Sequence, residues 1–249
     1  MNPVSASTDS ITSDRLLGGR VILRQPAMGY RAAVDPVLLA AAVRARAGQR
    51  VLDAGCGTGA ALFCLAARVP GLSVTGLEVQ PLHAALARES ASLNGLENVR
   101  IVVGDIARPP ADFTGAFDIV FTNPPFGDHG TPPPEATLAV SHMEGEVDLT
   151  AWMAGCLACL KPKGRLVLIH RADRLSDILV ALRTKDAGDI RILPILPKSG
   201  APARRVIIDA GKGRRSPDTL LAGMALHEDD GRYTPEIEEV LRNAKALLP

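Results

Sequence analysis

The order of apolar segments predicts an α/β domain built on a mostly parallel seven-stranded sheet, with an antiparallel strand pair near the C-terminus and helices on both faces. Three observations point there. Apolar β-rich runs alternate with helical patterns along most of the chain, which is the signature of βαβ units. The strand RVLDAG passes through a glycine-rich turn straight into a helical run. Two late strand-like segments, separated by PKSGAP, are close enough in sequence to form an antiparallel pair.

RLLGGRVILRQ (15–25) predicts a small hairpin turning at Gly18 and Gly19, and DPVLLAAAVRA (35–45) a helix capped by Asp35 with Pro36 in its first turn. Strand RVLDAG (50–55), helix GAALFCLAARV, strand SVTGLEV (73–79), helix PLHAALARESASLNG, strand NVRIVVGD (98–105) and strand FDIVFTN (117–123) follow. Beyond a Gly/Pro-rich loop at 127–136, helix LTAWMAGCLACL leads to strand GRLVLIHR (164–171), helix DRLSDILVALRTK, and strands DIRILPIL and ARRVIIDAGK. The final helix, TPEIEEVLRNAKALL, has Thr234 as its N-cap and acids in its first turn. Residues 1–14, small and polar, read as a disordered tail. Residues 15–249 read as one domain: hairpin and helix at 15–46, a ligand-binding core at 47–171 and a basic C-terminal part at 172–249.

At 249 residues, 47% of them hydrophobic, the chain has ample material for a core. No apolar run approaches the roughly 18 to 20 residues of a membrane span, and no signal-peptide core follows the first basic residue, Arg15. Four cysteines do not suggest a disulfide scaffold, so a reducing cytoplasm is the expected location. Cys156 and Cys159 form a CxxC, but in an apolar helix with no second ligand pair downstream, so they read as core residues, and no metal is expected. The formal charge of +1 hides an asymmetry: residues 161–215 hold 14 Lys/Arg against 5 Asp/Glu, which favours a polyanionic partner.

In VLDAGCGTGA, Gly55, Gly57 and Gly59 stand between a strand and a helix N-terminus. Such a loop is either a tight βα turn or a backbone cradle for a ligand, and its G-x-G-x-G spacing is not that of a dinucleotide site. Glu78 closes the next strand, 19 residues beyond Gly59, where a carboxylate can accept two hydrogen bonds from a ribose diol. Asp105 ends the third strand on the same edge, where it could accept from an adenine amino group. Open α/β sheets bind ligands along that edge.

Through Asp53-Ala-Gly-Cys-Gly-Thr-Gly59, Glu78 and Asp105, the sequence resembles the class I S-adenosylmethionine-dependent methyltransferases. The resemblance implies that cofactor, with Asp53 and the glycine loop under its methionine part, Glu78 on the ribose, and Asp105 with the adjacent Ile106 at the adenine. Cys56, inside the loop, reads as a packed side chain.

FTNPPFGDH (121–129) ends the fourth strand on the same edge. Proline cannot donate a backbone hydrogen bond, so Pro124 and Pro125 stop the strand at a rigid corner. A conjugated amine attacks a methyl group poorly until it pyramidalises. Two acceptors fixed on its N–H groups, the Asn123 side-chain oxygen and the Pro124 carbonyl, would favour that geometry, and Asn123 also borders the cofactor. Phe126 would stack on the acceptor. The corner resembles the Asp/Asn/Ser-Pro-Pro-aromatic motif of amino-group methyltransferases.

Adenine N6, guanine N2 and a glutamine amide all present such an amine. Release-factor glutamine methyltransferases carry a helical domain before the catalytic one, whereas 34 residues precede Asp35 here. The layout of YRAAVDPVLLAA, VLDAGCGTGA, TNPPF, LIHRADRLSDILVAL and ARRVIIDAGKG is similar to the bacterial family that methylates N6 of adenosine 37 in a valine tRNA. In that family an acid precedes the first strand in a TDG-type segment; here Val34-Asp35-Pro36 stands instead, so Asp35 is either a cofactor contact or an ordinary N-cap. Lys198, Arg204, Arg205, Lys212, Arg214 and Arg215 surround the last strand pair, where they could grip RNA phosphates. With 3% aromatic residues, recognition would rest on shape, charge and one flipped base. His129 and His142, beside the 127–147 loop, read as surface or hydrogen-bonding residues.

Overall fold

The apolar runs marked as strands pair into one sheet in the computed structural model, which describes residues 11–28, 34–125 and 148–247. Its strands are β3 (Arg50–Ala54), β4 (Ser73–Glu78), β5 (Val99–Val103), β6 (Phe117–Thr122), β7 (Leu160–Arg171), β8 (Ala187–Lys198) and β9 (Arg205–Lys212), joined by the short β10 (Thr219–Leu220) and β11 (Met224–His227). Their order is β5-β4-β3-β6-β7-β9-β8-β10, with β11 also on β8. β3 through β7 run parallel, and β9 is antiparallel to both β7 and β8. The seven long strands and the late antiparallel pair agree with the sequence reading. The two short strands, parallel to β8, extend the sheet beyond it.

The chain winds outward from β3 through β4 to β5, then returns to β6 on the other side of β3. The carboxyl ends of β3 and β6 therefore flank the point where strand order reverses, the usual ligand crevice of an open α/β sheet.

Helices cover both faces. α1 (Val34–Ala42), α2 (Ala60–Arg68), α3 (Pro81–Leu93) and the C-terminal α6 (Pro235–Asn243) pack on one side, through Leu38, Leu39, Phe63, Ala87 and Ile237. α4 (Leu149–Cys159) and α5 (Leu175–Arg183) cover the other, through Met153, Cys156, Leu157, Ile178 and Leu182. Cys156 and Cys159 are both fully buried in this second core. Thr234 caps α6 by accepting from the Ile237 amide, as its sequence signature predicts.

The N-terminal hairpin pairs β1 (Ile11–Leu16) with β2 (Val21–Pro26). β1 begins at Ile11, so residues 11–14 of the stretch read as a disordered tail are strand. Alternation explains it: Thr12, Asp14 and Leu16 are half-buried while Ile11, Ser13 and Arg15 face solvent. α3 covers the free edge of β2. The Asn94 Oδ1 accepts from the Ile22 amide at 2.8 Å, its Nδ2 donates to the Ile22 carbonyl at 2.7 Å, and the Ser90 hydroxyl accepts from the Arg24 amide at 2.9 Å.

Candidate active site

The β3–α2 turn is shaped by its glycines. Gly55, Gly57 and Gly59 have φ of 73°, 55° and 97°, in the left-handed region that a side chain disfavours. Two of them also lack room. A Cβ on Gly59 would lie 2.2 Å from the Phe63 ring, and one on Gly55 2.8 Å from the Trp152 indole. Among the described residues, nothing lies within 4 Å of where a Cβ on Gly57 would stand.

The loop is tied down by the acid predicted to reach a ribose. Glu78, 5% exposed, accepts from the Gly57 amide through Oε2 and from the Gln80 amide through Oε1, both at 2.8 Å. A carboxylate has about four acceptor positions, so accepting capacity remains for a ligand.

Asp53, 2% exposed, stands in β3 two residues before the first glycine of the same loop. Burial, with the Glu78 charge beside it, pushes its carboxyl well above the usual range, offset in part by a hydrogen bond with the Leu62 backbone. Its Oδ2 is buried with no hydrogen-bond partner among the described residues. A buried acceptor in that state is costly unless a ligand donor meets it. Burial and these two acids also push the Cys56 thiol up, which removes it as a nucleophile, in agreement with its reading as a packed residue.

Asp105 follows β5 on the same edge. Its Oδ1 accepts from the Ala107 amide at 2.8 Å, and its Oδ2 lies 3.7 Å from Arg108. Half-exposed, it can still accept from a ligand. The Ile106 side chain is buried in the α4-side core, and α4 approaches this turn so closely that a Cβ on Gly155 would fall 1.7 Å from the Ile106 carbonyl oxygen.

β6 delivers Asn123 and the two prolines next to the end of β3. The backbone register runs Val51↔Ile119 to Asp53↔Phe121. One residue further, the Thr122 hydroxyl donates to the Ala54 carbonyl at 2.7 Å, and the Trp152 Nε1–H donates to that hydroxyl at 3.0 Å. Pro124 is buried and Pro125 exposed. Phe126, His129, His142 and the 127–147 loop lie outside the described residues. Thr122 and Trp152 were missed in the sequence, where Trp152 is one more apolar residue of a core helix and only its being the single tryptophan sets it apart.

Asp35 sits in the first turn of α1 and accepts from the Arg205 Nε at 2.8 Å. This pairing joins two residues that the sequence assigned to different partners, cofactor and RNA.

The six candidate RNA cations do not form one patch. β9 is antiparallel to β7 and β8, with Arg171↔Arg205 and Ile195↔Arg205 at one end and Ala187↔Lys212 at the other. Lys198, Arg204 and Arg205 therefore lie at the carboxyl edge of the parallel strands, with Asn123. Lys212, Arg214 and Arg215 lie at the opposite edge, where the Lys212 Nζ donates to the Leu160 carbonyl at 2.7 Å, the Arg214 Nη2 to the Lys163 carbonyl at 3.2 Å, and Arg215 pairs with Asp186 at 2.9 Å.

The chain matches a family model described as a methyltransferase domain over residues 45–188. A curated relative from Porphyromonas gingivalis, named tRNA1(Val) (adenine(37)-N6)-methyltransferase, is 30% identical over 232 residues, 87% of this chain and 89% of its own. A release factor glutamine methyltransferase from Deinococcus radiodurans is 37% identical over 143 residues, 54% of this chain and 50% of its own. Among solved structures, an Agrobacterium tumefaciens protein described as a predicted O-methyltransferase superposes with a TM-score of 0.72 at 27% identity, covering 85% of this chain and 97% of that one.

Proposed function

Because this chain belongs to the class I S-adenosylmethionine-dependent methyltransferases, we propose that it methylates an exocyclic amine, N6 of an adenine in tRNA. The observation that carries this reading is the Asn123-Pro124-Pro125 corner, which leaves β6 beside the glycine loop at the reversal point of the sheet.

The pocket residues suit the cofactor. Among the described residues, the buried Asp53 Oδ2 has no partner, Gly57 has open space above it, and Glu78 keeps spare acceptor capacity, so the loop offers both room and polar groups to a ligand. Asp53 and the loop would hold its amino acid end, Glu78 its ribose, and Asp105 with the Ile106 backbone its adenine. When bound, the cofactor supplies an electrophilic methyl group on a sulfonium sulfur. Asp35, the other candidate cofactor contact, accepts one hydrogen bond from Arg205 and keeps acceptor positions for a ligand.

The remaining work is done by the chain. Asn123 Oδ1 and the Pro124 carbonyl accept the two N–H bonds of the acceptor amine, which frees its lone pair from the ring and favours the charge that grows on nitrogen. The prolines hold both acceptors before the substrate arrives, so little entropy is lost on binding. Phe126 stacks on the base. No strong general base is required, because the proton can leave after transfer. Lys198 and Arg204, on the site edge, take the RNA phosphates.

Support for adenine in tRNA over a protein amide comes from coverage. The relative named for the tRNA reaction aligns along 87% of this chain, whereas the glutamine methyltransferase shares 54%. The second reading keeps the glutamine amide as acceptor, favoured by the higher local identity of 37%. A guanine N2 in rRNA, or a cofactor-binding module without catalysis, are further alternatives. A tRNA enzyme of this kind works in the cytoplasm, and among the described residues no helix is long and apolar enough to cross a membrane.

The test is mass spectrometry of nucleosides after incubation with cofactor and total tRNA, with rRNA, DNA and protein in parallel. N6-methyladenosine from tRNA is the expected product. Asn123→Ala should keep S-adenosylhomocysteine affinity and lose most turnover; unchanged turnover overturns the acceptor role of the corner.

A further inference from the structure

Four strand ends converge on the site, and one helix touches three of them, at the turns after β3 and β5 and at the last residue of β6. α4 places Trp152 against Gly55, Gly155 against Ile106, and the Trp152 indole nitrogen on Thr122. The hydrogen bonds at Thr122 have a fixed direction. A hydroxyl has one proton and the indole nitrogen can only donate. The Thr122 Oγ1 is 2.7 Å from the Ala54 carbonyl, which can only accept, so its proton goes there. The lone pair facing Trp152 then receives the indole N–H at 3.0 Å.

This chain of two bonds lies where the backbone ladder between β3 and β6 has ended, the last paired residues being Asp53 and Phe121. It joins Ala54, immediately before the glycine loop, to Thr122, immediately before Asn123. Thr122 is fully buried, so water cannot replace either partner. The indole ring also fills the space that a Cβ on Gly55 would need.

We propose that Trp152 is a positioning residue for methyl transfer: through the Thr122 hydroxyl it fixes the Asn123–Pro124 corner relative to the glycine loop. The inference rests on the reading of that corner as the amine-binding element. Acceptor and donor pockets are separate segments of chain, and transfer requires their relative placement to hold within a fraction of an ångström. The backbone ladder does not reach that far, and the Trp152–Thr122–Ala54 chain supplies the constraint.

The test uses three single variants and one double variant of the full chain. Trp152→Phe keeps a ring beside Gly55 and removes the N–H; Thr122→Val keeps the branched shape and removes the hydroxyl; Thr122→Ser keeps both hydrogen bonds. Turnover is measured on whichever of tRNA, rRNA or protein the wild-type enzyme labels, so that absence of tRNA labelling counts against the adenine reading alone. Trp152→Phe and Thr122→Val are expected to lower kcat about tenfold, the scale of one buried hydrogen bond, with S-adenosylhomocysteine affinity and acceptor KM within about twofold of wild type. Thr122→Ser should restore kcat, and Trp152→Phe combined with Thr122→Val should be no slower than Thr122→Val alone, because both act through one hydroxyl. A wild-type kcat in Trp152→Phe, multiplicative losses in the double variant, or cofactor affinity falling in step with kcat would overturn the proposal.

Discussion

Replacing Glu78 with glutamine tests the cofactor site at its most constrained point. The two carboxylate oxygens each accept one backbone N–H, from Gly57 and Gln80, at 2.8 Å. Glutamine keeps one acceptor and puts an NH₂ in place of the other, so one of these amides then faces a donor. A charge-assisted bond contributes about 1.5–3 kcal/mol, and a stranded buried donor costs about 1–3 kcal/mol. Removing a charge next to Asp53, whose carboxyl the Glu78 charge pushes up, returns part of this. A net loss of about 2 kcal/mol remains. For a chain of this size that corresponds to a fall in Tm of roughly 4–8 °C. If the bound ligand uses the same carboxylate, loss of that charge-assisted bond lowers affinity by roughly 10- to 150-fold as well. Calorimetric titration with S-adenosylhomocysteine and a thermal melt read the two effects. A Kd within threefold of wild type would refute a ribose role for Glu78, and an unchanged Tm would refute its role in holding the loop.

Gly155→Ala drives a Cβ toward the Ile106 carbonyl, 1.7 Å away, and α4 must shift to admit it; a loss of about 1–3 kcal/mol and weaker cofactor binding are expected, and a wild-type melt would show that the contact yields freely. Charge reversal at Lys198 and Arg204 should flatten the salt dependence of tRNA binding by about one unit of slope per lost phosphate contact, while Arg215→Glu on the far edge should not; equal slopes for both would remove the site-edge assignment. Arg205 is unsuitable for this test, since reversal would set a glutamate against Asp35. His170, 2% exposed, has its pKa lowered to about 4 by burial first and then by Arg174. The folded state therefore holds a neutral imidazole while the unfolded chain takes up a proton near 6.5, so stability is full above about pH 6.5 and falls as pH drops toward about 4. The melt of His170→Gln should depend less on pH across that window, and an identical pH profile would refute the assignment.

Much of the fold was legible because its signals are local. Strands β3 to β6 carry apolar runs that end in glycine, acid or proline, and each ends within two residues of its sequence-predicted boundary. The hairpin start at Ile11 was not legible, because the half-burial of Thr12 and Asp14 depends on β2 lying alongside, and the polar side chains by themselves read as a tail. The short β10 and β11 were also missed. They owe their strand conformation to the edge of β8, which offers backbone partners that no pattern within residues 219–227 announces.

The candidate site divides along the same line. Glycine spacing, the acid at the end of the next strand and the double proline are chemical signatures that short segments carry alone, so the sequence by itself determined that Gly55–Gly59, Glu78, Asp105 and Asn123 share one edge of a sheet. Which cations share that edge depended on strand direction. Lys198 and Arg204 fall on the same edge of the sheet as Asn123, and Lys212 to Arg215 on the opposite edge, because β9 runs against its neighbours and spans the sheet between them. Only the tertiary structure decided that Arg205 is held by Asp35, some 170 residues away in sequence, and that Trp152 reaches Thr122. Such contacts depend on how helices dock across the sheet, and that docking follows from the packing of two whole cores rather than from any local stretch of chain.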